Sequence, residues 1–489
     1  FVMLPGGEPA TMYLPGPGYP FFEQFPKPQA QRPPALVLIH GFSGDRVIMS
    51  GLARRLAQNG YAVLAIDVSG HGQNRNPFNG DEVSGGNLRE DVRKAVEFLR
   101  NSNFVDGSRI VVMGHSMGSG AALDYATNDP NLKAAVMISG GWVLGPQRPK
   151  NALFIFAERD PDEPIQQTSI ALAEHLAGVT KIELGKSYGD FAQGTAVEAI
   201  RMPGLNHVTI VNSPDAAATI VKWLDSSLGI SRTAPLNLVD SRVRTQRLAV
   251  LAFVILLIPL GRLCGSIVAT WPQDRPGPSG WVGELILVGV LFAAMPLTSA
   301  DPASFVPVIV GSLQVSWFAV ASLFILGVFL LIRRVEWQRV REGFGAALIV
   351  ATVAFALVYA CHVAFTIMLH NVALTPERLM VMVMAVVLTF PFWMGFELLV
   401  RRGGVAISTV WGLLGRILIL VLMAIGATLN VLPFVLLLVL PILAIAFVML
   451  EIFAASAYST SRNLTLIAAF ETLWFAWMLA ATNPITFMF

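Results

Sequence analysis

Three residues that together could activate a hydroxyl stand in order along this chain: Ser116, Asp160 and His207. Ser116 sits in Gly114-His115-Ser116-Met117-Gly118, Asp160 closes Ala157-Glu158-Arg159-Asp160, and His207 ends Pro203-Gly204-Leu205-Asn206-His207. A serine hydroxyl is a poor nucleophile until an imidazole accepts its proton during attack, and the same imidazole can later protonate the leaving group. A carboxylate holds the imidazole in one tautomer and stabilises its charged form. The set therefore points to acyl transfer, with Ser116 as nucleophile, His207 as base and acid, and Asp160 as the orienting group. Glu158, Asp162 and Glu163 share the acidic loop, and Asp160 is preferred for its closeness to the preceding apolar run. His40, His71 and His115 read as loop-shaping residues that bond to backbone.

The elements needed to position these groups are legible around them. The pentapeptide follows the apolar run Arg109 to Met113 and precedes the small residues Ser119 to Leu123, which reads as strand, tight turn, helix. Glycines flank the serine because a Cβ at either place would collide with the neighbouring strand or helix. Ala35 to Ile39, Tyr61 to Ile66, Ala134 to Ile138 and Ala152 to Phe156 are short uninterrupted apolar runs, the pattern of strands buried on both faces. Helices are predicted over Met49 to Asn59, Asn87 to Asn101, Ile165 to Leu176 and about Ala216 to Leu228, and Ala10 to Leu14 suits an edge strand. This alternation implies a mostly parallel sheet with helices on both faces. Functional groups then belong at the carboxyl ends of the strands, where all three candidates fall.

Taken together, residues 1 to about 230 resemble the α/β-hydrolase family, whose triad runs nucleophile, acid, histidine. His40-Gly41-Phe42 resembles the family's oxyanion-hole loop, and Asp67-Val68-Ser69-Gly70-His71-Gly72 its Asp-x-x-Gly-His-Gly turn. The resemblance implies that the backbone N–H groups of Phe42 and Met117 stabilise the tetrahedral oxyanion. It implies an α/β-hydrolase fold without a large cap, since only Ser139 to Lys150 separates two strands where many members insert one. Cover for the mouth is sought in Tyr19 to Phe25, in Gly178 to Arg201, or in the second half of the chain. An apolar mouth near a bilayer favours a hydrophobic acyl or ester substrate. The same triad could serve a peptidase, thioesterase or acyltransferase.

Composition divides the 489-residue chain. It is 54% hydrophobic and only 13% charged, with a mean hydropathy of +0.61, too apolar for one water-soluble domain. The excess begins near Leu248. The expected organisation is a catalytic domain over 1–230, a linker over 231–245 and an all-α transmembrane bundle over 246–489. Eight apolar runs suit a hydrocarbon core of roughly 30 Å: 246–270, 281–299, 305–332, 344–369, 377–400, 406–429, 431–456 and 463–482. A net charge of +2 speaks against a nucleic-acid partner, and the two cysteines, Cys264 and Cys361, lie inside apolar runs and suggest neither disulfide nor zinc site. No metal or cofactor is expected.

Arginines set the expected orientation. Arg275, then Arg333, Arg334, Arg339 and Arg341, then Arg401 and Arg402, then Arg462 follow the odd-numbered runs, whereas the loops after even runs hold only Arg378. An excess of arginine marks the cytoplasmic side, which puts the first domain on the outer side of a plasma membrane, although Arg232, Arg242, Arg244 and Arg247 vote the other way. An outward domain needs an export signal, expected ahead of Phe1. Arg262, Glu397, Arg416, Glu451 and Glu471 fall within runs, where isolated charges are costly, so they should face inward and pair, either as a structural network or as a proton or substrate path. His362 is either a helix-packing residue or one turned toward the catalytic mouth. A transporter or receptor with a hydrolase-fold sensing domain is the alternative architecture, disfavoured by the lack of an internal repeat.

Overall fold

A computed structural model describes residues 1–15, 32–79, 87–142, 144–270, 280–332, 343–365 and 372–486. Two compact units emerge: Phe1–Val243 with Thr366–Ala373 and Pro484–Phe489, and Arg244–Phe365 with Leu374–Asn483. In the first, the apolar runs become strands of one sheet: β1 (Val2–Met3), β2 (Pro9–Tyr13), β3 (Pro34–Ile39), β4 (Ala62–Ile66), β5 (Asp106–His115), β6 (Ala134–Ile138), β7 (Ala152–Ala157) and β8 (Val197–Met202). Their order is β1-β2-β4-β3-β5-β6-β7-β8; β1, β2 and β4 pair antiparallel and the remaining neighbours parallel. Every residue of β3, β4, β6 and β7 is buried, as expected of strands covered on both faces.

Helices α1 (Ser50–Gln58), α2 (Leu88–Arg100), α3 (Met117–Ala126), α4 (Thr168–Ala177) and α5 (Pro214–Ser227) cover the sheet, α1 packing with α5 and α2 with α3. Leu52, Leu56, Ile220 and Leu224 of α1 and α5 share a core with Leu36, Leu38, Val63, Val111 and Val136. The chain runs β3 to β4 on one side and then returns to place β5 on the other side of β3. Strand order therefore reverses between β3 and β5, the crevice where open α/β sheets bind ligands.

Several expectations change, beginning with the Ala10 to Leu14 segment, whose strand β2 pairs with both β1 and β4 and is therefore not at the edge. The first turns of the helix expected at Ile165 form a π-helix over Asp162–Gln167, and α4 starts only at Thr168. Val197 to Arg201, considered as cover for the mouth, belongs to β8, parallel to β7. Tyr19 to Phe25, another candidate cover, lies outside the described residues, as do Arg275, Arg333, Arg334, Arg339 and Arg341.

Among its described residues the second unit holds eight helices long and apolar enough to cross a membrane. They are α6 (Arg242–Ile267), α7 (Gly280–Thr298), α8 (Ile309–Ile332), α9 (Phe344–Phe365), α10 (Pro376–Val400), α11 (Val405–Thr428), α12 (Val435–Tyr458) and α13 (Leu464–Thr482). α13 is central, almost wholly buried and packed against α9, α10 and α12. Glu397, Arg416, Glu451 and Glu471 pair inside this unit, but Arg262 is exposed and joins no ion pair among the described residues. Arg401, read from the sequence as a loop cation, is fully buried between Glu397 and Glu451. Arg378 is also buried, and its guanidinium donates to the carbonyls of Ala480, Ala481 and Asn483 at the end of α13. His362 packs edge-on against Phe253, Trp474 and Trp477, with ring centroids 4.3, 5.8 and 5.0 Å away, as a helix-packing residue does.

Candidate functional site

β5 delivers Ser116 at its carboxyl end, and α3 begins at the next residue. Ser116 adopts φ 53° and ψ −123°, a conformation that side chains rarely take and that persists only where the surroundings hold it. The holding is steric. A Cβ on Gly114 would stand 1.9 Å from the Gly118 carbonyl oxygen, and one on Gly118 would stand 2.4 Å from that of His40. Strand, helix and the loop after β3 thus close on one another only because both positions lack a side chain. Ser116 N–H donates to Ile138 O at 2.8 Å, tying the turn to the end of β6.

Register places the other groups along the same edge. Ile39 is level with Gly114, His115 with Ile138, and Ile138 with Ile155, so the loops after β3, β5, β6 and β7 emerge together. Asp160 lies in the loop after β7 and is buried. Its Oδ1 accepts from His207 Nδ1 at 2.7 Å, while Oδ2 accepts from Ser139 Oγ at 2.6 Å and from Ala157 N–H at 2.8 Å. Burial alone would raise the Asp160 pKa, yet the bonds from His207, Ser139 and Ala157 outweigh it and hold the carboxyl below its ordinary range. The carboxylate is therefore ionised at neutral pH. Because Nδ1 is the donor, Nε2 of a neutral His207 carries the lone pair.

Among the described residues, no hydrogen bond joins Ser116 Oγ to the His207 ring. The link between the two loops runs through His115, whose Nε2–H donates to His207 O at 2.9 Å with the rings 4.7 Å apart. Burial, reinforced by the nearby His207, pushes the His115 pKa down to about 3, so this ring is a neutral strut.

On the other side of Ser116, Gly41 approaches so closely that a Cβ there would lie 3.0 Å from Ser116 Cβ and from His115 Nδ1. His40 shapes this loop: Nδ1–H donates to Gly41 O at 2.8 Å and Nε2 accepts from Val68 N–H at 3.2 Å. His71 donates through Nδ1 to Ser69 O and packs edge-on against Phe42 and Phe78. Among the described residues, neither Phe42 nor Met117 uses its N–H in a hydrogen bond. The sequence expectation of loop-shaping roles for His40, His71 and His115 matches these bonds.

Three partners escaped sequence reading. Ser139, at φ 52° just past β6, reads from the sequence only as the start of a short loop; its place on the strand beside that of the acid is the available signal. Gln166 donates to Asp160 O at 2.7 Å and to Glu158 O at 3.2 Å, fixing the acid loop from the π-helical turn. Ile485, which no local pattern marks, donates its N–H to Gly70 O at 2.9 Å and accepts from Phe78 N–H at 2.7 Å. No helix lies among the described residues between β6 and β7; instead Trp142 Nε1–H donates to Pro164 O at 2.8 Å and draws this loop onto the acid loop. Among the described residues no group of histidine, cysteine or carboxylate side chains could hold a metal ion.

Residues 30–161 match the family model described as serine aminopeptidase, S33. Cutinase 1 of Thermobifida cellulosilytica is 32% identical over 106 residues, 22% of this chain and 38% of that protein. The chain thus spans well under half the length of that curated relative. Among solved structures, an α/β serine hydrolase without lid from Xanthomonas campestris aligns with 48% of this chain and 95% of its own, at 18% identity and a TM-score of 0.34. A monoacylglycerol lipase from Paleococcus ferrophilus aligns with 45% and 99%, at 16% identity and a TM-score of 0.31.

Proposed function

This chain carries an α/β-hydrolase domain followed by eight long apolar helices, and from that premise we propose that it is a membrane-embedded serine hydrolase cleaving a hydrophobic ester through an acyl-enzyme. The observation that carries the reading is the His207–Asp160 hydrogen bond, made by a carboxylate with three donors at the sheet edge where the strained Ser116 turn also emerges. In this mechanism His207 Nε2 takes the Ser116 proton as Oγ attacks the ester carbonyl. Asp160 holds the ring and stabilises the imidazolium without accepting its proton. The N–H groups of Phe42 and Met117 receive the oxyanion, and loss of one such donor typically costs about 10² to 10³ in turnover. The imidazolium then protonates the leaving alkoxide. Water, deprotonated by Nε2, attacks the acyl-serine and regenerates the enzyme. The chemistry requires neither metal nor cofactor.

The similarity to cutinases supports an ester, while the description of the matching family favours a peptide, so the two must be separated by experiment. On the full chain in detergent, acyl esters of increasing chain length should be turned over, with kcat/KM rising with length. Aminoacyl anilides should be poor substrates; the opposite ranking would make the protein a peptidase built on the same residues. The eight helices and the distribution of arginines support a multi-pass protein of the plasma membrane with the hydrolase domain on the outer side.

A further inference from the structure

Inside the helical unit, two guanidinium groups face four carboxylates. Arg401 Nε donates to Glu397 Oε2 at 2.7 Å, and its Nη1 and Nη2 reach Glu451 at 2.5 and 2.6 Å. Arg416 Nη1 donates to Glu451 Oε2 at 2.5 Å and to Gly412 O at 3.0 Å; its Nη2 bonds Glu471 Oε1 and lies 3.6 Å from Glu397 Oε1. Glu284 of α7, a helix packed against the α11 that carries Arg416, is the fourth carboxylate. All six side chains are at most 5% exposed. Gly412 makes the room: a Cβ there would stand 2.5 Å from Glu451 Oε2 and 2.9 Å from Arg401 Nη1.

The donors are distributed unevenly. Glu397 and Glu451 accept from guanidinium on both oxygens. Among the described residues, Glu471 Oε2 and both oxygens of Glu284 have no hydrogen-bond partner, although all three atoms are buried. Among the described residues, no other charged group hydrogen-bonds these oxygens. At the same end, half-buried Arg402 and Arg462 bond the carbonyls of Leu398 and Gly403, Arg262 is exposed, and Arg378 caps the opposite end of α13. Guanidinium keeps its charge, so with every carboxylate ionised the cluster would hold two uncompensated negative charges at membrane depth. Buried groups in that position take up protons instead.

We propose that Glu284 and Glu471 form a proton-binding site in the membrane unit, each carrying an exchangeable proton at neutral pH, while Glu397 and Glu451 are the carboxylates that Arg401 and Arg416 engage. Protonation leaves two carboxylates facing two guanidinium groups, which is neutral, and supplies each bare carboxyl with an O–H. The site makes the helical unit a proton-responsive element, independent of the chemistry at Ser116.

Infrared spectroscopy of the full chain in lipid nanodiscs tests this directly. At neutral pH the wild type should show a carboxylic C=O band that shifts in D₂O. Glu284→Gln and Glu471→Gln should each lose about half of it, and the double variant nearly all, with folding checked by circular dichroism. Should a variant fail to fold, the wild-type spectrum decides through a pH titration: ionisation of the band at raised pH supports the site. Absence of the band at neutral pH, its retention in both single variants, or its appearance only when sodium is removed would overturn the proposal, the last by identifying a metal cation as the occupant.

Discussion

At the residue scale, the acid of the candidate triad is held by more than the imidazole it serves. Ser139 Oγ supplies one of three donors to Asp160, and a hydrogen bond to a charged group is worth about 1.5–3 kcal/mol. Ser139→Ala should therefore lower kcat on a short soluble ester about tenfold with little change in KM. Asp160→Asn should cost about 10⁴, because it also allows the wrong tautomer. Equal losses in the two variants would show that Ser139 does more than hold the acid. A second residue reports through pH. Asp91, buried under the Asp67 to Gly72 turn, has its pKa raised by burial to about 6, although bonds from Ser69 pull the other way. Between about pH 4 and pH 6 the folded protein holds a proton that the unfolded chain has released, so stability falls as pH rises through that window. Asp91→Asn should flatten this slope, a change of at most about 3 kcal/mol, seen as a loss of pH dependence in the melting temperature.

At the element scale, what could be read from the chain depended on how continuous its patterns were. β3, β4, β6 and β7 are uninterrupted apolar runs buried on both faces, so their positions and the carboxyl-edge location of Ser116, Asp160 and His207 were legible. β8 was not, because Val197-Glu198-Ala199-Ile200-Arg201-Met202 is a half-exposed edge strand with charged residues among its apolar ones. Arg401 looked like a loop cation beside Arg402, but it caps α10 and folds back onto Glu397 four residues earlier, a tertiary choice that local sequence does not encode. Ser139 and Ile485 act on partners 21 and hundreds of residues away, set by strand register and by chain return. The Ile485 pairing predicts a defined effect. Ile485→Pro removes the N–H that bonds Gly70 O, and should loosen the loop whose His71 packs on Phe42. A several-fold drop in kcat is expected, with unchanged fluorophosphonate labelling at saturation; unchanged kcat would mean that the turn stands without this bond.

At the scale of the whole molecule, the division into a polar-looped first half and an apolar second half followed from composition, and the hydrolase reading of the first half from the motifs around Ser116, Asp160 and His207, whereas sidedness rests on arginines. Some of those sit in buried bonds rather than in loops, so labelling must decide it. A cysteine at exposed Ser187 should react with an impermeant thiol reagent in intact cells, and one at Gln338 only after permeabilisation. The reverse pattern would place the hydrolase unit in the cytoplasm. Whether Ser116 is a nucleophile activated by His207 is decided by a fluorophosphonate probe on the full chain, with the modified peptide identified by mass spectrometry. The wild type should carry the adduct on Ser116, His207→Ala should react at least about 10³-fold more slowly, and Ser116→Ala, folded by circular dichroism, should not be labelled. Labelling that persists in Ser116→Ala, or that proceeds at the wild-type rate in His207→Ala, would mean that Ser116 is not a nucleophile activated by His207.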